Sequence, residues 1–226
     1  GPNGDAGRGS LRMRPPYVRT IEPSVYDYIG GKEAKYEVLE ESIAASDYKG
    51  TDSLDWFFQR ALKVIALQGI AGSSRHLLPH LSSVDDEKWA KALADNKALS
   101  RMLWPAQTRI GDAGAFNQES AFVQLPTGAG KTKSFELILR ARALAGISES
   151  AVVIAPLRAL CNEIASDLKK ALSDVAQVNV APDTLDLSGW LVSGSMRGKL
   201  DVKVCTPEKF AYVVHHSPKY SILLDW

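Results

Sequence analysis

The residues Pro126-Thr127-Gly128-Ala129-Gly130-Lys131-Thr132 bring together, without a gap, the groups needed to hold a polyphosphate. Gly128 and Gly130 let the backbone curl so that successive N–H groups point inward, a conformation that residues with a Cβ resist. Lys131 offers a positive charge on a long stem that reaches β- and γ-phosphates, and Thr132 a hydroxyl for a phosphate-bound Mg²⁺. A helix starting at this point would add unpaired N–H groups and the positive end of its dipole. ATP and Mg²⁺ are the cofactors this chemistry implies. Lys131 and Thr132 are the catalytic candidates, Thr132 is the metal-side ligand, and Thr127, Gly128, Ala129 and Gly130 form the rest of the cradle.

Such a loop works only between a strand and a helix. Ala121-Phe122-Val123 is a short apolar run that predicts a buried strand just before it. Phe135, Leu137, Ile138, Leu139 and Leu144 predict a helix just after it. Ala151-Val152-Val153-Ile154 reads as a second strand, apolar throughout, as expected in the middle of a parallel sheet. Val178-Asn179-Val180 and Val202-Lys203-Val204-Cys205 read as further strands. Between them Leu160, Ile164, Leu168 and Leu172 predict the inner face of an amphipathic helix over 157–174. The expected fold class is α/β, a parallel sheet flanked by helices.

Leu125 stands where the general phosphate-loop pattern has glycine, and in that respect the loop resembles the first motif of superfamily 2 helicases. Three further stretches carry the same resemblance. Leu103-Trp104-Pro105-Ala106-Gln107 is similar to the family's upstream glutamine motif, which implies that the Gln107 amide reads the adenine edge while Trp104 packs near the base. Ala155-Pro156-Leu157-Arg158 resembles motif Ia. Thr206-Pro207-Glu208-Lys209 resembles motif Ib and is most like the Ski-type/Hel308-type branch of DExH helicases. Pro156, Arg158, Thr206, Pro207 and Lys209 are thereby implied as contacts to single-stranded DNA or RNA. Helix starts following strand ends offer N–H groups to phosphates, which gives that role a physical basis. Pro207 suits a first helical position and Thr206 its cap. Ser193-Gly194-Ser195 and Arg197 are a further candidate phosphate contact.

The resemblance implies a RecA-like motor domain over 101–226; the residue pattern before it reads as a small all-helical accessory domain over 21–100 after a flexible tail over 1–20. Ile222-Leu223-Leu224-Asp225-Trp226 ends the sequence before the Asp-Glu-x-His box that the family carries, so the chain is expected to be the N-terminal portion of a larger ATP-dependent helicase and catalytically incomplete alone. Its expected partners are single-stranded nucleic acid, the remainder of the helicase with its second RecA-like domain, and a protein partner of the helical domain. A specialised bacterial setting such as phage defence would suit such an architecture. Two alternatives compete: a non-catalytic phosphate-loop scaffold, and an unrelated phosphate-loop kinase. The kinase reading fits Leu125 poorly and gives no reason for Arg158 or Thr206-Pro207.

Composition bounds these readings. The 226 residues are 45% hydrophobic and 23% charged, ordinary for a globular chain long enough to bury a core. A formal net charge of +1 gives no global attraction to nucleic acid, so any such site is local. Cys161 and Cys205 form no metal or redox spacing and suit a reducing, cytoplasmic location. No apolar run reaches the length of a membrane span.

The N-terminal region predicts helices. Tyr36, Leu39 and Ile43 recur at helical spacing over 23–46. After a cap at Thr51-Asp52-Ser53, Leu54, Phe57, Phe58, Ala61, Leu62, Ile65 and Ala66 share one face. A third helix is expected over 83–99, with Asp85, Asp86 and Glu87 complementing its dipole. His76 and His80 read as structural, and His215-His216 as a helix end.

Overall fold

The computed structural model describes residues 24–32, 36, 39, 43, 53–117, 119–182, 190 and 198–216. The chain divides into two compact units, Gly1–Thr108 and Arg109–Trp226.

The described part of the first unit is helical. Residues 24–29 are helical, followed by α1 (Ser53–Ala71), α2 (Ser74–Leu81) and α3 (Asp86–Asp95). Tyr28, Leu39, Ile43, Ala66 and Ile70 form its core, so the expected spacing of Leu39 and Ile43 is found buried. The face predicted for α1 packs only in part, with Ala66 buried and Ala61 and Leu62 half-buried. Leu54, Phe57, Phe58 and Ile65 are exposed, whereas Gln59, Ala66 and Ile70 are buried. This helix carries two apolar stripes, and periodicity cannot choose between them. The inward one pairs Ala66 with Ile70 at i, i+4, and the small alanine lets the helix approach Tyr28 and Ile43.

Ser73 caps α2 by accepting from the His76 N–H at 3.2 Å. The His76 ring lies 4.3 Å from Tyr36 and 5.2 Å from His80, so both histidines have aromatic neighbours. Buried Arg75 pairs with Asp86 and joins α2 to the start of α3. Helix α3 is shorter than expected. Asn96 ends it, its side-chain oxygen accepting from the Ala98 N–H at 2.9 Å in a local turn that competes with helix. Helix α4 (Pro105–Asp112) extends through Gly111 and Asp112.

The second unit contains a sheet with helices. In order come a 3₁₀ turn (Ala115–Asn117), α5 (Lys131–Ala145), β1 (Ser150–Ile154), α6 (Arg158–Ala171), β2 (Ala176–Val180), β3 (Leu200–Cys205) and α7 (Pro207–His216). The three strands are parallel in the order β1-β3-β2, with Val153 opposite Val204 and Val178 opposite Val202. This is a parallel sheet flanked by helices, consistent with a RecA-like domain. Leu139 of α5, Cys161, Ala165 and Leu168 of α6, and Val202 and Val204 of β3 share one core. On the other face Cys205 meets Val213 of α7, with Ala181 and the partly buried Trp190 and Phe210.

Three expectations are corrected here. Among the described strands β3 is central and β1 lies at an edge, with Val152 and Ile154 exposed, so the most apolar strand is not the middle one. The central strand is buried at all six positions, Asp201 and Lys203 included. Their charges are matched locally: Lys203 Nζ lies 2.6 Å from Asp201 Oδ2 and donates to the Trp190 carbonyl at 2.6 Å. Second, Ala121-Phe122-Val123 forms no strand and is exposed, Phe122 by 96%. A strand needs a neighbour to receive its N–H and C=O groups, and no described residue pairs with this segment. Third, Leu160 of α6 is exposed, and the buried stripe runs through Cys161, Ala165 and Leu168. Small side chains there let the helix lie close to the sheet.

Candidate phosphate-binding sites

From Pro126 to Thr132 the chain forms the glycine turn and helix start expected of a phosphate loop, without the strand expected before it. Gly128 and Gly130 both adopt φ of +83°, the left-handed region that an L side chain rarely enters, and the Ala129 N–H bonds the Pro126 carbonyl at 3.3 Å. Gly130 is the N-cap of α5, whose first residues are Lys131 and Thr132. Thr127, Gly128, Lys131 and Thr132 are exposed, and Ala129 and Gly130 are half-buried. Inside the helix, Lys133 pairs with buried Glu136 at 2.6 Å. Thus the loop presents a helix start, an ammonium and a hydroxyl on one short stretch. A nucleoside triphosphate with its divalent cation fits this donor set: Gly128 has open space where a Cβ would stand, so backbone N–H groups can approach an anion closely.

Helix α5 is anchored from behind. Arg140 is fully buried and donates to both Asp174 oxygens, at 2.6 and 2.9 Å, and to the Ala171 carbonyl at 2.6 Å. The fork geometry of guanidinium matches a carboxylate. The turn after α6 is thereby fixed to the helix that begins at the phosphate loop.

Parallel pairing brings the C-terminal ends of β1, β2 and β3 to one sheet edge. There the chain lines a cavity of about 290 Å³ with Arg158, Asn162, Cys161, Cys205, Thr206 and Lys209, closed on another side by Val180-Ala181-Pro182. Arg158 is the first residue of α6 and exposed. Pro207 is the first residue of α7, and Thr206, buried to 8%, precedes it as expected of a cap. The Glu208 carboxyl titrates below its ordinary range because its own backbone N–H and then the Thr206 hydroxyl bond to the charged form. Lys209 donates to the Ala181 carbonyl at 3.3 Å and the Pro182 carbonyl at 2.5 Å, which fixes its ammonium on the wall. Both thiols are buried. Burial first, and the Cys161 thiol second, raise Cys205 to a pKa of about 11, with Lys209 opposing them. At neutral pH the Cys205 thiol in the cavity is therefore uncharged.

The structure thus brings Arg158, Thr206 and Lys209 together around one cavity, with exposed Pro156 on the bend before α6 and exposed Pro207 at the start of α7. Trp104 and Gln107 belong to the first unit. Trp104 is exposed, whereas Gln107 is buried and its Oε1 accepts from the Trp104 N–H at 2.9 Å, capping α4. Ser193, Gly194, Ser195 and Arg197 lie outside the described residues. Asn162, Cys161 and Cys205 were not among the residues singled out in the sequence as part of a site. Their positions hold a signal: Asn162 follows Arg158 by four on a helix, and Cys205 is the strand residue just before Thr206.

Among the described residues no helix is long and apolar enough to cross a membrane. Residues 104–224 match the family of DEAD/DEAH box helicases. No curated protein and no solved structure matches the chain.

Proposed function

The chain belongs to the DEAD/DEAH box helicase family, within helicase superfamily 2, and on that premise we propose that it binds ATP at the Lys131 loop and a single-stranded backbone at the strand-end cavity. Its general function is that of a nucleic-acid helicase and ATPase. In our reading Lys131 holds the terminal phosphates, Thr132 faces Mg²⁺, and Thr127 to Gly130 supply backbone N–H groups. When bound, the nucleotide supplies the free energy of phosphoryl transfer to water. The protein's own part is positioning and charge stabilisation, which dominate catalysis of that reaction. Gln107 and Trp104 are assigned to the adenine, and the Thr206-Pro207-Glu208-Lys209 run favours the Ski-type/Hel308-type branch.

One observation carries the nucleic-acid part: Arg158, far in sequence from Thr206 and Lys209, lines a single cavity with them at one sheet edge. Their donors suit phosphate and carry no base code, so binding is indifferent to sequence and weakened by salt. The test is the salt dependence of affinity for a single-stranded oligonucleotide. Each phosphate neutralised contributes about 0.7 to the slope of log affinity against log salt. Arg158→Ala should lower the slope by about that amount and weaken all sequences alike. An unchanged slope would remove Arg158 from the interface.

A further inference from the structure

We propose that Tyr212 and His216 of α7 form a stacking platform for a nucleobase, set beside the phosphate cavity. Their rings lie 4.1 Å apart at 21°, stacked, and both side chains are exposed. The arrangement is ordered from the backbone: the His216 Nδ1 lies 2.8 Å from the Tyr212 carbonyl, which holds the imidazole over the phenol ring. Tyr212 is 41% exposed, so a large apolar ring is left partly in water at a fixed angle.

Placement gives this pair a ligand. Lys209, Tyr212 and His216 recur at i, i+3 and i+7, which on an α-helix keeps them within about 60° of one another. Lys209 lines the cavity, so the ring pair continues the same face of α7 away from the phosphate donors. From Thr206 to Tyr212 the helix rises roughly 9 Å, the length of two to three stacked nucleotides at about 3.4 Å each. A strand with one phosphate at the start of α7 therefore places a base at the level of Tyr212. Every base has a π-face, so the contact raises affinity while reading no sequence. The ligand class is a single-stranded oligonucleotide with unpaired bases; a duplex buries the faces this platform needs.

The inference rests on the phosphate-cavity reading, and the experiment separates the two. Affinities of the purified chain are compared for an oligothymidylate and for a strand of equal length and phosphate count whose sugars carry no bases. The platform predicts a preference for the thymidylate of roughly fivefold or more. Tyr212→Ala should abolish that preference and leave affinity for the base-free strand unchanged, while Tyr212→Phe, which keeps the ring, retains it. A ring pair that serves only the helix end gives the opposite pattern: equal affinity for both strands in the parent chain, and a lowered melting temperature for Tyr212→Ala. Equal affinity for both strands, with Arg158→Ala weakening each, overturns the platform and leaves the cavity reading standing. Binding of neither strand overturns both.

Discussion

The phosphate loop and the strand-end cavity, both in the second unit, are built on opposite plans. At the loop, Lys131 and Thr132 are exposed, and the approach from Ala121 to Val123 is exposed as well. At the cavity, Thr206 is buried, the Lys209 ammonium already bonds two carbonyls, and Cys161 and Cys205 floor the space. The loop's conformation is held locally by two left-handed glycines and by the helix that follows. The cavity is held by the sheet, because two strand ends, at Val180 and Cys205, and two helix starts must converge before it exists. The difference teaches where each site is sensitive: the loop to its own few residues, the cavity to the packing behind it.

The largest effect expected from breaking this arrangement is at Arg140, which fixes the phosphate-loop helix to the turn after α6. Arg140→Ala removes a fully buried cation from Asp174 and from the Ala171 carbonyl and should cost about 3–5 kcal/mol of stability. Arg140→Lys should recover little, since an ammonium cannot make the forked contact. Urea unfolding of the three proteins measures this. A loss under about 1 kcal/mol would show that α5 is held by its apolar contacts alone.

Lys131→Ala should do the reverse, lowering function and sparing the fold. The side chain is exposed and has no bonded partner among the described residues, so melting should not move. A charge-assisted phosphate contact of about 1.5–3 kcal/mol corresponds to a roughly ten- to hundredfold loss of affinity for a fluorescent ATP analogue. Equal affinity in the two proteins would place the nucleotide elsewhere.

The same contrast explains which parts of the molecule were legible in the sequence. The glycine turn and helix start at Gly128 to Lys131 were, because their requirements are local: glycines for positive φ and a helix that follows at once. The strand ends at Ile154 and Cys205 were also legible, as were the helix starts at Arg158 and Pro207, for they are marked by proline and capping residues in order. Strand order was not. An apolar run such as Ala151-Val152-Val153-Ile154 suits a central strand, yet β3, with Asp201 and Lys203, takes that place because its two charges neutralise each other two residues apart. Apolar content scores residues singly and is blind to such pairs. Phe122 failed for a related reason. Strand propensity describes a segment, whereas a strand is a relation between two. In the first unit, α1 offered two apolar stripes, and only the positions of Tyr28, Leu39 and Ile43 decide which is used.

Gln107 gives the smallest expected effect and the finest test of the contrast between open and engaged side chains. The sequence resemblance makes it a reader of adenine; the structure finds it buried, with its carbonyl oxygen accepting from the Trp104 N–H. Those two duties use different atoms. Capping needs only the acceptor, whereas reading adenine needs an acceptor for its exocyclic amine and a donor for a ring nitrogen. Gln107→Ala removes both and confounds them, costing about 1 kcal/mol of cap as well as any selectivity. Gln107→Glu keeps the acceptor, and with it the cap, but loses the N–H donor. If Gln107 reads the base, the glutamate variant should melt like the parent while its preference for ATP over GTP, measured by competition against the fluorescent analogue, falls several-fold. If the residue only caps α4, the glutamate variant should match the parent in both measurements, and the alanine variant should lose stability with no change in selectivity. Selectivity that falls in the glutamate variant at constant stability would mean that an engaged, buried side chain still serves the nucleotide through its remaining edge.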